Sequence, residues 1–278
     1  MDSRDCEAAS EPGPPACACV ASWWDMVVRN LRHTVPSYRG AEAKGKCRCW
    51  YEAALHDGNP IIVYLHGSAQ HRSAPLLGVL SDGGFHVLSV DYRGFGDSTG
   101  TPTEEGLTTD AICVYEWAKA RSGRTPVCLW GHSLGTGVAT NAARALEAKG
   151  CPVDAIVLEA PFTNMWVASI NYPLLKICQK LPRCLSTLMD AFKEDKIVFP
   201  NDENVKFLSS PLLILHGEDD RTVPLEYGKQ LYEIARSAYR NKERVKMVVF
   251  PPGFHHNLLC KSPLLLRSVR DFLSQQWA

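Results

Sequence analysis

Short, continuous apolar runs recur along the chain from residue 61 onward and alternate with helical patterns. Runs that are continuous rather than alternating are typical of strands buried on both faces, as in a parallel sheet. The strand and helix patterns follow one another as βαβα, which predicts an α/β fold whose central sheet is mostly parallel and flanked by helices. The predicted strands are Ile61–Leu65, His86–Val90, Val127–Trp130, Ala155–Leu158, Leu212–Leu215 and Val245–Phe250.

Apolar residues at helical spacing fill the intervals between these strands. Thr108 and Asp110 open one such segment in a sequence suited to helix capping. Another segment sets Leu231, Ile234 and Ala238 on one face. The predicted helices are 72–80, which is only about two turns long, Thr108–Ala120, Leu134–Ala148, Tyr227–Ala238 and Pro263–Gln275.

The chain divides into three parts by composition. Residues 1–20 are rich in Ala, Pro, Glu and Ser and are expected to be a disordered tail. Residues 21–60 hold a candidate amphipathic helix at 21–32 and candidate edge strands within 33–39 and 46–55. Packing of this helix on the protein is favoured over contact with a lipid surface. Residues 61–278 form one large α/β domain.

One insertion interrupts the alternation of strands and helices. Residues 162–210 lie between two predicted strands and are too long for a simple connection. Two readings stay open: the segment forms a helical lid over a pocket at the carboxyl ends of the strands, or its apolar side chains only pack on the sheet. Under the first reading, Trp166, Leu174 and Leu175 contact the substrate.

Charge and cysteine content exclude several classes of function. Thirty basic and thirty acidic residues balance, and no basic cluster suggests a nucleic-acid partner. The 11 cysteines are scattered and odd in number, and no signal peptide precedes them, so reduced thiols in the cytosol are expected. No cysteine pair has the spacing of a zinc site, so we expect no metal. No apolar run is long enough to span a membrane.

The strongest chemical signal is the pentapeptide Gly131-His132-Ser133-Leu134-Gly135. It follows a predicted strand and opens a predicted helix, which is the context that exposes a nucleophilic serine on a sharp turn. A serine hydroxyl needs a base and a group that orients the base. Candidate acids, Asp219 and Asp220, follow the fifth strand, and candidate bases, His255 and His256, follow the sixth.

Acyl transfer also requires hydrogen-bond donors aimed at the oxyanion of the tetrahedral intermediate. Two backbone amides are suited to this role. One belongs to Leu134, which follows the candidate nucleophile, and the other belongs to Ser68, which follows the first strand. The loop 91–98 after the second strand resembles a loop that recurs in a large superfamily of enzymes, and this resemblance implies that it braces the site without taking part in the chemistry.

From residue 61 onward the chain resembles the α/β-hydrolases. The resemblance rests on YLHGS (64–68), VDYRGFGDSTG (90–100), WGHSLGTGVATN (130–141), LEAPFTN (158–164), LHGEDDRTVP (215–224) and FHHNLLCKSP (254–263). It selects Asp220 as the acid, because the family acid commonly stands in Gly-x-x-Asp-x-x-Val-Pro, and leaves Glu218 and Asp219 solvated. It also favours His256 over His255, since the family histidine is often followed by a small polar residue.

Within the superfamily, the motifs are similar to those of the lipase family of α/β-hydrolase domain-containing protein twelve, particularly its B form. The resemblance implies a serine hydrolase without a cofactor that cleaves monoacylglycerols and lysophospholipids such as lysophosphatidylserine. It also implies association with endoplasmic reticulum membranes, whereas this chain has the pattern of a cytosolic or peripheral protein. Members of that family carry a membrane-spanning segment and two further strands before the first strand found here, so the chain resembles a shortened form.

Two other hypotheses remain open. A shortened amino-terminal region is compatible with a catalytically silent paralogue that binds partners. The same triad also serves thioesterases and serine peptidases. The preferred hypothesis is an ester hydrolase in which Ser133 attacks the acyl ester, His256 transfers the proton and Asp220 orients His256.

Overall fold

The computed structural model describes Leu55 and residues 58–68, 74–96, 98–166 and 197–277. The expectations for the amino-terminal tail, for nearly all of residues 21–57 and for the centre of the 162–210 insertion lie outside these residues.

Six parallel strands form the sheet in the described part of the chain, in the order β2-β1-β3-β4-β5-β6. All six were predicted from their apolar residues; the four inner strands are buried throughout, whereas the two edge strands are partly exposed. Strands β3 and β5 each continue two residues beyond the predicted end, and β2 ends one residue earlier. The strands are β1 (Ile61–Leu65), β2 (His86–Ser89), β3 (Val127–His132), β4 (Ala155–Glu159), β5 (Leu212–Gly217) and β6 (Val245–Phe250).

Helices connect the strands and cover both faces of the sheet. Two of them begin where the sequence predicts, at Leu134 and Pro263, and the first helix has the expected two turns. The described helices are α1 (Pro75–Asp82), α2 (Glu104–Lys119), α3 (Leu134–Ala148), α4 (Asn201–Asn204), α5 (Leu225–Ala238) and α6 (Pro263–Trp277), with single 3₁₀ turns at Val205–Phe207, Lys242–Arg244 and Leu259–Lys261.

The predicted start of α2 at Thr108 was wrong. The helix begins at Glu104, and the Thr103 side chain caps it by accepting a hydrogen bond from the Gly106 amide at 3.0 Å. Thr108 instead lies one turn inside the helix, and its hydroxyl donates to the Glu104 carbonyl. The first turn carries two glutamates, which suit the positive end of the helix dipole.

The four inner strands of the sheet are buried on both faces, which explains why they are largely apolar. On one face, Ile61, Val63 and Leu65 of β1 belong to a core that includes residues of α2, α3 and α5. On the other face, Ile62 and Tyr64 pack in a core with residues of α1 and α6. Burial of one large aliphatic side chain contributes about 1.5–3 kcal/mol to the stability of the fold. Because many such side chains pack on the sheet, it is a rigid support for the loops at its edges.

None of the helices in the described ranges combines the length and the apolar character needed to cross a membrane.

Candidate active site

Four loops meet at the carboxyl edge of the sheet, because the strands that precede them are parallel. The loop after β1 carries Ser68, and the turn after β3 carries Ser133. The loops after β5 and β6 carry Asp220 and His256. Residues from distant parts of the sequence are thereby brought to one place.

Ser133 lies on a strained turn between β3 and α3. Its backbone angles are φ 52° and ψ −116°, outside the regions that L-residues normally occupy. The neighbouring glycines make this turn sterically feasible, because a Cβ at Gly131 would collide with the backbone of Gly135, and one at Gly135 would collide with the Leu65 carbonyl. The Gly-x-Ser-x-Gly spacing therefore follows from close backbone packing. Strain of this kind costs about 1–3 kcal/mol and is concentrated at functional sites.

Ser133, His256 and Asp220 form a continuous hydrogen-bonded chain. The Nε2 atom of His256 lies 3.0 Å from the Ser133 hydroxyl oxygen, and its Nδ1 atom lies 2.7 Å from Oδ2 of Asp220. Asp220 and His256 are buried, whereas Ser133 is partly exposed. The arrangement allows the imidazole to accept the serine proton while the carboxylate fixes the position of the ring.

The Asp220 carboxylate is held in its ionised form. Its Oδ1 atom accepts hydrogen bonds from the Thr222 and Val223 amides at 2.8 and 2.9 Å. Burial opposes ionisation, but the hydrogen bond and charge of His256, together with the Val223 amide, outweigh burial and lower the pKa of Asp220 below its ordinary value. The group can therefore stabilise a positively charged His256.

Two further buried histidines support this chain of groups. His132 Nε2 lies 3.0 Å from the His256 carbonyl, and burial, followed by the nearby charge of His256, lowers the pKa of His132 to about 3. A neutral ring next to a carbonyl must donate from Nε2. His216 likewise donates from Nε2 to the Val223 carbonyl at 2.8 Å, and burial lowers its pKa. Sequence reasoning assigned neither residue a role.

The loop that carries Ser68 passes directly beside the serine turn. A Cβ at Gly67 would lie 3.2 Å from the Ser133 Cβ, so the backbone there approaches as closely as glycine allows. The Tyr92 hydroxyl donates to the His66 carbonyl at 3.2 Å, which fixes the base of this loop from the predicted bracing segment. Leu134 is the first residue of α3. The backbone amides at the start of a helix have no hydrogen-bond acceptor within the helix.

Asp219 is not simply solvated, contrary to the sequence prediction. Its carboxylate accepts hydrogen bonds from the Gly253 amide at 2.6 Å and from the His255 amide at 3.0 Å. His255 is exposed and its ring faces Asp219, whereas His256 faces Ser133. The structure therefore separates the two adjacent histidines, which the residue pattern alone did not.

A buried carboxyl group lies behind the serine turn. The Glu159 carbonyl accepts the Ser133 amide at 3.0 Å, and its side chain accepts from the Trp130 indole at 3.0 Å. Burial raises the pKa of Glu159 to about 7, although the Trp130 hydrogen bond opposes the shift. The sequence offered no sign of this pairing, because Glu159 ends an apolar strand.

The 162–210 insertion is described only at its two flanks. Trp166 is partly buried against the core, while Leu174 and Leu175 lie outside the described residues. In the second flank, the side-chain amide of Asn201 donates to the Phe162 carbonyl at 2.8 Å and to the Thr136 hydroxyl oxygen at 3.1 Å. These hydrogen bonds attach the returning flank to α3 and to the first flank.

Comparison with known proteins agrees with this arrangement. A family model described as serine aminopeptidase, S33, matches residues 56–208, more than half of the chain. Protein ABHD12B of Homo sapiens is 64% identical over 362 aligned positions that include all of both chains. Lysophosphatidylserine lipase ABHD12 of Rattus norvegicus is 45% identical over 90% of this chain, which spans 65% of that protein.

Solved structures share the fold at low sequence identity. The esterase Pf2001 of Pyrococcus furiosus superposes with a TM-score of 0.62 at 19% identity, covering 87% of this chain and 97% of that chain. The family match and the full-length identity settle the classification. The chain belongs to the serine aminopeptidase S33 family of α/β-hydrolases, alongside ABHD12B and ABHD12, and it is an ester hydrolase.

Proposed function

We propose that this chain hydrolyses acyl esters of single-chain lipids through a triad of Ser133, His256 and Asp220. The observation that carries the proposal is the chain of hydrogen bonds of 3.0 and 2.7 Å that joins the three side chains on a strained turn. The serine oxygen attacks the ester carbonyl carbon while His256 Nε2 takes the serine proton. The ionised Asp220 stabilises the resulting imidazolium.

The amides of Ser68 and Leu134 donate to the oxyanion of the tetrahedral intermediate. Each such donor is worth about 3–4 kcal/mol in comparable sites. The intermediate collapses when His256 returns the proton to the departing alcohol oxygen, which leaves the acyl group on Ser133. Water then attacks the acyl-enzyme with His256 as base, and the free fatty acid is released. The cycle requires no cofactor and no metal.

We further propose monoacylglycerols and lysophospholipids, lysophosphatidylserine among them, as the substrate class. The proposal is supported by the 45% identity to a protein named lysophosphatidylserine lipase. In this proposal, Trp166, Leu174 and Leu175 contact the acyl chain. Such substrates reside in membranes, so we infer peripheral contact with a bilayer, with the endoplasmic reticulum as the expected location. No nucleic-acid partner is proposed.

Hydrolysis of a defined substrate panel tests this function. Purified wild type is compared with Ser133→Ala and with Ser237→Ala, an exposed serine on α5. We expect the wild type and Ser237→Ala to release fatty acid from lysophosphatidylserine and monoacylglycerol, and Ser133→Ala to be inactive. Undiminished hydrolysis by Ser133→Ala would remove the serine from the mechanism.

The panel also includes an acyl thioester and an amino-terminal peptide substrate. The peptide is included because the matching family model carries a serine aminopeptidase description. Faster turnover of either compound than of every lipid ester would contradict the proposed substrate class while leaving the triad intact.

A further inference from the structure

Asp219 connects the two loops that carry the acid and the base. It precedes Asp220 in the loop after β5, yet its side chain reaches the loop after β6. Its Oδ2 accepts from the Gly253 amide at 2.6 Å, and Oδ1 accepts from the His255 amide at 3.0 Å. The same carboxylate lies 2.8 Å from His255 Nδ1. One side chain therefore makes three contacts within the three residues 253–255, immediately before His256.

The turn held by Asp219 is strained. His255 has φ 48°, in the left-handed region that non-glycine residues seldom occupy. A Cβ on Gly217 would lie only 2.5 Å from the His255 carbonyl oxygen, so this turn packs directly against the end of β5. Such a conformation persists only when surrounding contacts enforce it. The two amide hydrogen bonds to Asp219 are contacts of that kind.

The position of the His256 ring depends on this turn. On the other side of it, the His256 carbonyl is fixed by His132 at 3.0 Å. Asp219 and His132 thus hold the backbone on either side of the His256 side chain. The hydrogen-bonded Gly253 amide, and then the amide and charge of His255, lower the pKa of Asp219, which keeps its carboxylate ionised and able to accept at both oxygens.

We propose that Asp219 is a positioning residue that holds the loop of residues 253–255 so that His256 Nε2 stays within hydrogen-bonding distance of Ser133. The inference rests on the triad proposed above and adds a residue that the triad does not contain. Displacing a reacting group by about 1 Å can slow a reaction about 100-fold. The loss should therefore appear in the rate of the chemical step rather than in substrate affinity.

The test measures kcat and KM of Asp219→Ala with a soluble short-chain nitrophenyl ester, alongside Glu218→Ala. Glu218 is the adjacent exposed carboxylate and serves as the matched control. We expect kcat of Asp219→Ala to fall about 10- to 100-fold with KM nearly unchanged, and Glu218→Ala to behave as wild type. Wild-type kcat in a folded Asp219→Ala overturns the inference. If this variant fails to melt cooperatively, Asp219→Asn carries the same test, with a smaller loss expected.

A double-mutant comparison separates positioning from general support of the fold. In a His256→Ala background there is no imidazole to position, so adding Asp219→Ala should cause little further loss. A full additional 10-fold loss in that background overturns the inference. His256→Ala with wild-type activity would instead overturn the triad itself, so the two failures are distinguishable.

A comparison at His255 tests which contact of Asp219 matters. His255→Asn retains the backbone amide, and asparagine tolerates the left-handed conformation. We expect this variant to stay within about two-fold of wild-type kcat, because both backbone amides still donate to Asp219. A loss as large as that of Asp219→Ala would assign the effect to the contact between Asp219 and the His255 ring. It would contradict positioning through the backbone amides of Gly253 and His255.

Discussion

His256 Nε2 lies 3.0 Å from Ser133 Oγ, although the two residues are 123 positions apart in the chain. The parallel sheet brings them together, because β3 and β6 both end at the same edge. Hydrogen bonds to the backbone hold the base in place on one side through His132 and on the other through Asp219. The reactive geometry therefore depends on loops anchored to a rigid sheet.

Replacing Asp220 should impair catalysis without unfolding the protein. Asp220→Asn loses the negative charge that favours the Nδ1–H tautomer of His256, and in serine hydrolase triads this exchange costs about 10⁴-fold in kcat. We expect a loss of about that size with a nearly unchanged KM. Steady-state kinetics on a soluble ester check it, with the exposed Asp271→Asn as control. A loss below about ten-fold would contradict the role given to Asp220.

The buried Glu159 should make stability depend on pH. Its pKa rises from 4.5 to about 7 on folding, so the unfolded chain loses its proton first as pH increases. The stability linked to this proton is complete below about 4.5 and is lost as pH rises through about 7. The shift corresponds to about 3 kcal/mol.

Glu159→Gln cannot titrate and keeps an acceptor for Trp130. We expect the free energy of unfolding of this variant, minus that of wild type, to be about 3 kcal/mol larger at pH 8 than at pH 4.5. Urea unfolding at both values measures this difference, with the exposed Glu116→Gln as control. A difference that does not change with pH would show that Glu159 does not titrate in this range.

The serine turn should not tolerate a methyl group at Gly135. A Cβ there would collide with the Leu65 carbonyl, and helical backbone cannot move away without displacing Ser133. We expect Gly135→Ala to lose about 2 kcal/mol of stability or more and nearly all activity. Gly78→Ala is the control, since Gly78 lies in α1 with open space around it and should gain up to about 1 kcal/mol. Equal urea midpoints for the two variants would contradict this packing.

The capping role of Thr103 gives a test of the corrected start of α2. Thr103→Ala removes the acceptor for the Gly106 amide, which costs about 1 kcal/mol at comparable caps. The exposed Thr101→Ala should have no measurable effect. Thermal melts of the two variants measure this difference. Identical Tm values would contradict the capping role of Thr103 and a helix start at Glu104.

The inner strands could be predicted because burial on both faces leaves an almost uninterrupted apolar run, and the partly exposed edge strands keep enough apolar residues to be recognised. The beginning of α2 could not, since Glu104, Glu105 and Gly106 interrupt the apolar pattern of the helix. Tertiary contacts stabilise that turn instead: the Glu104 carboxylate accepts from the amides of Val198 and Phe199, far along the chain. No local pattern records such contacts.

The candidate site also has parts that the local sequence marks and parts that depend on tertiary contacts. The serine turn is local, and its two glycines mark it in the sequence. The choice between His255 and His256 came from family resemblance, since adjacent side chains cannot be oriented from their order alone. The partners of Asp219 and His132 lie 34 or more positions away, so their contacts emerge only after the sheet brings the loops together.

The most direct test of the central claim is covalent labelling of the purified protein by a fluorophosphonate probe, followed by mass mapping of the modified peptide. An activated serine reacts with this probe far faster than an ordinary hydroxyl, because a base removes its proton. We expect one adduct, on Ser133, that is absent from Ser133→Ala and strongly reduced in His256→Ala. A well-folded wild type that stays unlabelled, or an adduct on another serine, would contradict the assignment of Ser133 as the nucleophile.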